Sequence, residues 1–435
     1  MMKTKTGYKF FKRCLLVAAV LLVGFGPLDG SAQAKTKRPK ITVFGSSVAG
    51  GAVAENNRGY WYMLKELLRH RGFEVSSCSR GGDRTTRILD RFPDLLGHKA
   101  DYVFIGLSLG NEGIREKDQA GRDKIYEQFR TGMLGLIKLM RENNMKPAVG
   151  LCYAHSYYSP EEYEYVKRMN VLMNSWDVPS ANFLGAVDDG AGRWAKGYVN
   201  DPWHPNTEGH REMFYTIVPT IFEAMEAGKP PPKKSAGNGL LRLGNKDGVW
   251  SYLDFTSKDT IHSFAVCFSV HSNNDGTLAA IEGKGSVATV EMKDGMFAYL
   301  CSNGSSTGTA IDGTDGRWHH IVVSHRYAQG ETLFFVDGNL IGSVKERFAP
   351  RKFTLGAKNL KEADFKELLI YRSALNDLEV KTIGQGTLLQ ASLEVYAPLE
   401  EHIFNKNKPV KNLAQSLSQV VYKTRKVPVK IPARP

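Results

Sequence analysis

Cysteine is scarce in this chain, with five residues in 435. One of them, Cys14, lies in the N-terminal segment, which leaves Cys78, Cys152, Cys267 and Cys301 for a mature chain. These four are widely spaced, and each falls in or at the end of a predicted strand. Buried free thiols are therefore expected rather than a disulfide framework, although Cys267 and Cys301 share one small domain and are the pair to consider. Beyond the N-terminus no stretch is long and apolar enough to cross a bilayer. No His, Cys and Asp residues stand at metal-ligand spacing, so neither a metal nor another cofactor is expected. There is no nucleic-acid motif and no internal repeat. Acidic residues are the minority, 45 Asp and Glu against 58 Lys and Arg, for a net charge of +13. Without a nucleic-acid motif, that balance points to an anionic polysaccharide or cell surface, or simply to a solvated basic tail.

The N-terminus has the layout of a secretory signal. Lys3, Lys5, Lys9, Lys12 and Arg13 precede the apolar run from Cys14 to Phe25, which is short for a membrane span. Ala32-Gln33-Ala34 then offers small residues at the positions a signal peptidase reads, so residues 1–34 are expected to be removed. An uncleaved anchor is the alternative. Cleavage places the protein in the periplasm, outside the cell or on its surface, and lowers the net charge from +13 to +9. Much of the remaining excess sits at the other end, in Lys406, Lys408, Lys411, Lys423, Arg425, Lys426, Lys430 and Arg434.

From residue 40 short apolar runs alternate with amphipathic ones. Ile41 to Phe44, Phe73 to Val75, Tyr102 to Leu107 and Pro147 to Leu151 read as strands. Helical periodicity runs over 60–71, within 85–96, and over 125–143, 161–175 and 209–227. This alternation predicts an α/β domain over 40–228 with a mostly parallel sheet covered on both faces. Three consecutive prolines, Pro230 to Pro232, break the rhythm and predict an extended linker over 229–239. Over 240–400 many short strands are separated by turns such as Asp294-Gly295 and Asp337-Gly338, which predicts an all-β sandwich or jelly roll. Residues 401–435 are expected to form a basic C-terminal tail.

In an open parallel sheet, ligands bind beyond the carboxyl ends of the strands. Beyond those ends lie Gly45-Ser46-Ser47, Arg80-Gly81-Gly82-Asp83 and Gly110-Asn111-Glu112, with Asp201-Pro202-Trp203-His204-Pro205 late in the domain. Together they hold the parts needed for acyl transfer. Ser47 needs a base to become a nucleophile, His204 can be that base, and Asp201 can orient its ring. The N–H groups of Ser47 and Gly82 and the Asn111 amide can face a developing oxyanion. Each motif alone is weak, and the force lies in the ordered set. His155, Tyr153, Tyr157 and Tyr158 come after the fourth strand and are expected either to line the pocket or to pack. Trp203 is expected either to wall an acyl pocket or to be a core residue, and His210 is expected to be structural.

That ordered set resembles the SGNH/GDSL hydrolase family, whose blocks supply a Ser, a Gly, an Asn and a His. The resemblance covers about residues 40–228 and implies a flavodoxin-like three-layer fold and metal-free ester hydrolysis. The first block departs from the family's usual Gly-Asp-Ser, reading Gly-Ser-Ser, which leaves Ser46 as a second candidate nucleophile. Gly81 competes with Gly82 for the oxyanion role, and Glu112 stands where an aspartate is usual.

Residues 240–400 resemble the concanavalin A-like and laminin G-like jelly rolls. The resemblance rests on Trp318 to Val323, Phe335-Val336-Asp337-Gly338, Phe353 to Gly356, Ala363 to Tyr371 and Leu393 to Leu399. It implies carbohydrate binding, with a structural or protein-binding module as the alternative, and assigns no calcium ligands. Taken together the expectation is an exported carbohydrate esterase acting on an acylated polysaccharide, with O-acetyl as the expected acyl group and a possible glycan ligand on the jelly roll. The rivals are a lipid esterase or lysophospholipase and a non-catalytic carbohydrate-binding protein.

Overall fold

Five strands, β1 (Lys40–Gly45), β2 (Glu74–Ser77), β3 (Tyr102–Gly106), β4 (Lys146–Gly150) and β5 (Ser180–Ala181), form a parallel sheet in the order β2-β1-β3-β4-β5. The side chains of Ile41, Val43, Phe44, Val103, Phe104 and Ile105 are buried, as strands covered on both faces require. The helices are α1 (Tyr60–Arg69), α2 (Thr85–Asp90), α3 (Phe92–Gly97), α4 (Gln119–Glu142), α5 (Pro160–Asn174), α6 (Leu184–Val187), α7 (Thr207–Tyr215) and α8 (Ile221–Glu226). Strand order reverses at β1, so right-handed crossovers put α1 on one face and α4 and α5 on the other. Accordingly α1 packs on α7, and α4 packs on α2 and α5. This is the flavodoxin-like three-layer arrangement. The computed structural model describes residues 38–401 and 404–426. The expected signal, residues 1–34, and the basic Lys430 and Arg434 lie outside them.

Two helical expectations change. The stretch over 85–96 is two helices meeting at Arg91, with Pro93 in the first turn of the second. The stretch over 209–227 breaks between α7 and α8, because Pro219 has no N–H to give to the carbonyl of Tyr215. That freed carbonyl accepts a hydrogen bond from Arg372 Nε at 3.0 Å.

Beyond residue 240, the described residues form fifteen strands, from Leu241–Lys246 to Val420–Lys426, in one continuous antiparallel network. Strand Leu241–Lys246 pairs with both Ala363–Tyr371 and Val249–Thr256 and so joins the two layers of a sandwich. Phe255, Phe264, Phe268, Phe334, Phe353 and Phe365 fill its core. Asp294-Gly295 and Asp337-Gly338 both have positive φ and close hairpins, as their sequences predict. The sandwich runs past the expected boundary at residue 400. Lys408–Val410 and Val420–Lys426 pair with each other, and the second also pairs along Val249–Thr256. Val410 and Val420 are buried while Lys423 pairs with Asp254, so this basic segment is a strand with a buried anchor rather than a tail. All four described cysteines are free thiols. Among the described residues no helix is long and apolar enough to cross a membrane.

The two parts are joined by buried polar contacts. Arg372, fully buried on the sandwich side, bonds the Tyr215 and Thr260 carbonyls and pairs with buried Glu394. Asn174 Oδ1 accepts from the N–H groups of Gln390 and Ala391 at 3.0 and 2.7 Å. Glu379, on α9 (Asp377–Gly384), accepts from Asn182 Nδ2 at 2.9 Å. Arg372→Ala leaves Glu394 buried without its partner and is expected to cost about 3–5 kcal/mol in a denaturant titration. Burial raises the Glu379 carboxyl to about 7, despite the hydrogen bond from the Asn376 N–H, and nearby Asp188 adds to the rise. An acid raised in the folded state holds its proton there and loses it more readily on unfolding. Its contribution is complete at low pH and is lost as pH rises toward about 7. Melting temperature is therefore expected to fall more steeply between about pH 5 and 7 in the wild type than in Glu379→Gln.

Candidate active site

The site forms where β1 and β3 end side by side. A Cβ on Gly45 would lie 2.2 Å from the Gly106 carbonyl oxygen, and one on Gly106 would lie 2.4 Å from the Tyr60 hydroxyl. Only glycine fits at either strand end. The chain then turns through Ser46 and Ser47, with the Ser46 N–H bonded to the Gly106 carbonyl at 3.1 Å. Ser46 is wholly buried, and its hydroxyl faces Asn111 and Tyr153 at 3.3 and 3.4 Å. Ser47 points the other way, with its Oγ 3.0 Å from His204 Nε2. Of the two candidate nucleophiles, Ser47 is the one beside the imidazole.

Asp201 and His204 face each other across a two-stranded hairpin formed by Val199–Asp201 and His204–Pro205. Asp201 Oδ1 accepts from the N–H groups of Trp203 and His204 at 2.9 and 3.0 Å. This local turn is what the three-residue spacing encodes. The same carboxylate lies 2.9 Å from His204 Nδ1. A carboxylate only accepts, so Nδ1 carries a proton. In the neutral ring Nε2 is then the acceptor, and the Ser47 hydroxyl donates to it. Burial raises the Asp201 carboxyl, but hydrogen bonds from His204 and the Trp203 N–H outweigh it and hold the carboxyl below its ordinary value.

Asn111 comes after β3. Its Oδ1 accepts from the Ser108 N–H at 3.0 Å and from the Tyr153 hydroxyl at 3.1 Å. A backbone N–H can only donate, so this atom is the oxygen and the amide NH2 is turned to the other side. Among the described residues that amide has no hydrogen-bond partner, nor have the N–H groups of Ser47, Gly81 and Gly82. Gly82 has φ 76°, a left-handed conformation that suits glycine. All of these residues line one cavity of about 410 Å³ with His204, Tyr153, His155, Tyr158 and Trp203. Among the described residues no group of three or more His, Cys, Asp and Glu could hold a metal ion.

Supporting contacts hold the loops. Buried Asp83 pairs with Arg91 and fixes the glycine loop. Buried Glu112 accepts from Thr85 Oγ1 and Gln128 Nε2, both at 3.0 Å, and from the Thr85 N–H. These roles of Ser108, Arg91 and Glu112 have no signal in the sequence beyond proximity to the motifs. His210 is buried against the Ala52 carbonyl at 3.2 Å, a structural position. Trp203 is 55% exposed, which excludes a place in the core. Glu112→Ala strands a buried donor on α2 and is expected to cost about 1–3 kcal/mol, measured by urea unfolding.

The GDSL-like Lipase/Acylhydrolase family matches residues 43–212. No curated protein matches the sequence. Among solved structures, a putative lipolytic protein of the G-D-S-L family from Desulfitobacterium hafniense is 16% identical. It covers 40% of this chain and 95% of its own, with a TM-score of 0.34. A catalytic mutant of an acetylxylan esterase from Geobacillus stearothermophilus is 14% identical over 40% of this chain and 90% of its own, with a TM-score of 0.32. Domains LG4-5 of the mouse laminin alpha1 chain are 17% identical over 34% of this chain and 44% of their own, with a TM-score of 0.27. Residues 43–212 are a domain of the GDSL-like lipase/acylhydrolase family, and the enzyme is an ester-bond hydrolase.

Proposed function

We propose that the protein is an exported serine esterase that removes O-acetyl groups from a polysaccharide. The observation that carries this reading is the Ser47–His204–Asp201 relay, with contacts of 3.0 and 2.9 Å, set beside unpartnered N–H donors in one cavity. In this reading Ser47 Oγ attacks the ester carbonyl while His204 Nε2 takes its proton. Asp201 steadies the imidazolium that results. The N–H groups of Ser47 and Gly82 and the Asn111 amide take the charge that develops on the carbonyl oxygen. His204 then protonates the departing alcohol. Water, deprotonated by His204, attacks the acyl-serine and releases the acid and free Ser47.

The cavity wall supports a short acyl group. Among the described residues that line it, the aliphatic side chains are Val48 and Ala154, whereas a long acyl chain needs a run of aliphatic contacts. The basic N-terminal segment with its apolar run supports export to the periplasm, the exterior or the cell surface. The sandwich, docked through Arg372, Asn174 and Glu379, is proposed to hold the glycan in fixed relation to Ser47.

Hydrolysis of p-nitrophenyl acetate is expected to exceed that of the octanoate. Ser47→Ala and His204→Ala are each expected to lower kcat by at least about 10⁴-fold. Asn111→Ala is expected to lower kcat by about 10²–10³-fold. Octanoate preference contradicts the acetyl reading, and full activity in Ser47→Ala contradicts the mechanism.

A further inference from the structure

Few large apolar side chains are exposed in the hydrolase part. Among the described residues before the linker they are Val53, Leu96, Tyr157 and Trp203. The two aromatic rings of that set, 56% and 55% exposed, belong to the same place. Both flank the imidazole of His155, with ring centroids 5.9 Å away for Tyr157 and 6.3 Å for Trp203. His155 and Trp203 line the cavity that holds Ser47 and His204. Leaving two aromatic faces in water forgoes burial that other large side chains of this domain obtain.

The ring between them is placed to donate. His155 is buried and packs on Tyr158 at 5.2 Å. Its Nδ1 accepts from the Tyr157 N–H at 3.1 Å, so the neutral ring carries its proton on Nε2. Burial, and then the charge of Arg115, lower the imidazole to about 4, so the ring is neutral at ordinary pH. Nε2 has no partner among the described residues. The nearby guanidinium of Arg115 is engaged, over the Tyr157 ring at 5.0 Å and with Glu116 at 2.8 Å. The mouth of the cavity therefore offers flat apolar faces and a neutral donor, and among the described residues that line the cavity there is no Lys or Arg and no run of aliphatic side chains.

We propose that Tyr157, Trp203 and His155 form a subsite for the pyranose ring that bears the ester. The aromatic faces take the C–H face of the sugar, and His155 Nε2–H donates to one of its oxygens. The inference rests on the proposed esterase reading and adds the residues that hold the sugar whose hydroxyl is the leaving group.

The test uses the Ser47→Ala protein, which leaves a bound ester intact, titrated with methyl tetra-O-acetyl-glucopyranoside and followed by ligand-observed NMR. Saturable binding is expected, weakened about tenfold by adding Trp203→Ala or His155→Phe. Trp203 is exposed, so its truncation spares the fold. In the Ser47 enzyme, the kcat/KM ratio of this sugar ester over ethyl acetate is expected to fall about tenfold in Trp203→Ala, through KM. Absence of saturable binding, or binding and ratio unchanged by both substitutions, overturns the subsite. Failure of the wild type to hydrolyse any ester counts against the hydrolase reading instead, because binding to Ser47→Ala reads the subsite independently.

Discussion

There is no room for a side chain between β1 and β3 where both strands end. Gly45 and Gly106 approach so closely that a methyl group on either would meet backbone or a tyrosine hydroxyl. Because these two strands flank the reversal of the sheet, their loops part on either side of a crevice. The first loop delivers Ser47 and the second delivers Asn111. A side chain at Gly45 would push against the Gly106 carbonyl of the neighbouring strand, and one at Gly106 would push against Tyr60 and against Ala49 in the segment that follows Ser47, so the serine and the amide would no longer face one cavity. The distances at the site derive from that contact and from the local turn that sets His204 on Asp201.

Much of this was legible because it is local. The apolar runs of β1, β3 and β4 end at glycines, and Asp201-Pro202-Trp203-His204 folds through hydrogen bonds spanning two and three residues. The Asp-Gly hairpins of the sandwich are equally local. Less legible was β5, a strand of only Ser180–Ala181 with no apolar run to announce it. The strand Val420–Lys426 was hidden for another reason. Its lysines and arginine look like a solvated tail, and its partner lies about 170 residues earlier in the chain, as in the pairing of Lys423 with Asp254. Ser47 was placed first by its position in the block, but Ser46 stayed a second candidate, since adjacent residues leaving a strand point to opposite sides and only packing decides which side is the core.

The contact between the two parts also lay beyond a linear reading. Pro219 interrupts a helix and frees the Tyr215 carbonyl, and Arg372 of the sandwich occupies it. Asn174, at the end of α5, is met by the backbone of Gln390 and Ala391. Arg372 and Asn174 are buried, and the bonds from Arg372 Nε to the Tyr215 carbonyl and from the Gln390 and Ala391 N–H groups to Asn174 Oδ1 form only when the partner segment is in place. The proline-rich stretch is pinned as well: Lys229 bonds the Ser416 carbonyl at 2.8 Å and the Ser235 N–H bonds the Tyr396 hydroxyl at 2.8 Å. The sandwich is thus a fixed neighbour of the hydrolase part, not a module on a free tether.

In the proposed mechanism Ser47, activated by His204, is the residue acylated during turnover. The most direct measurement is intact-mass and peptide mapping after reaction with a phosphonofluoridate. A single adduct on Ser47, absent in His204→Ala, is the expected result. An adduct on Ser46, or equal labelling without His204, contradicts it.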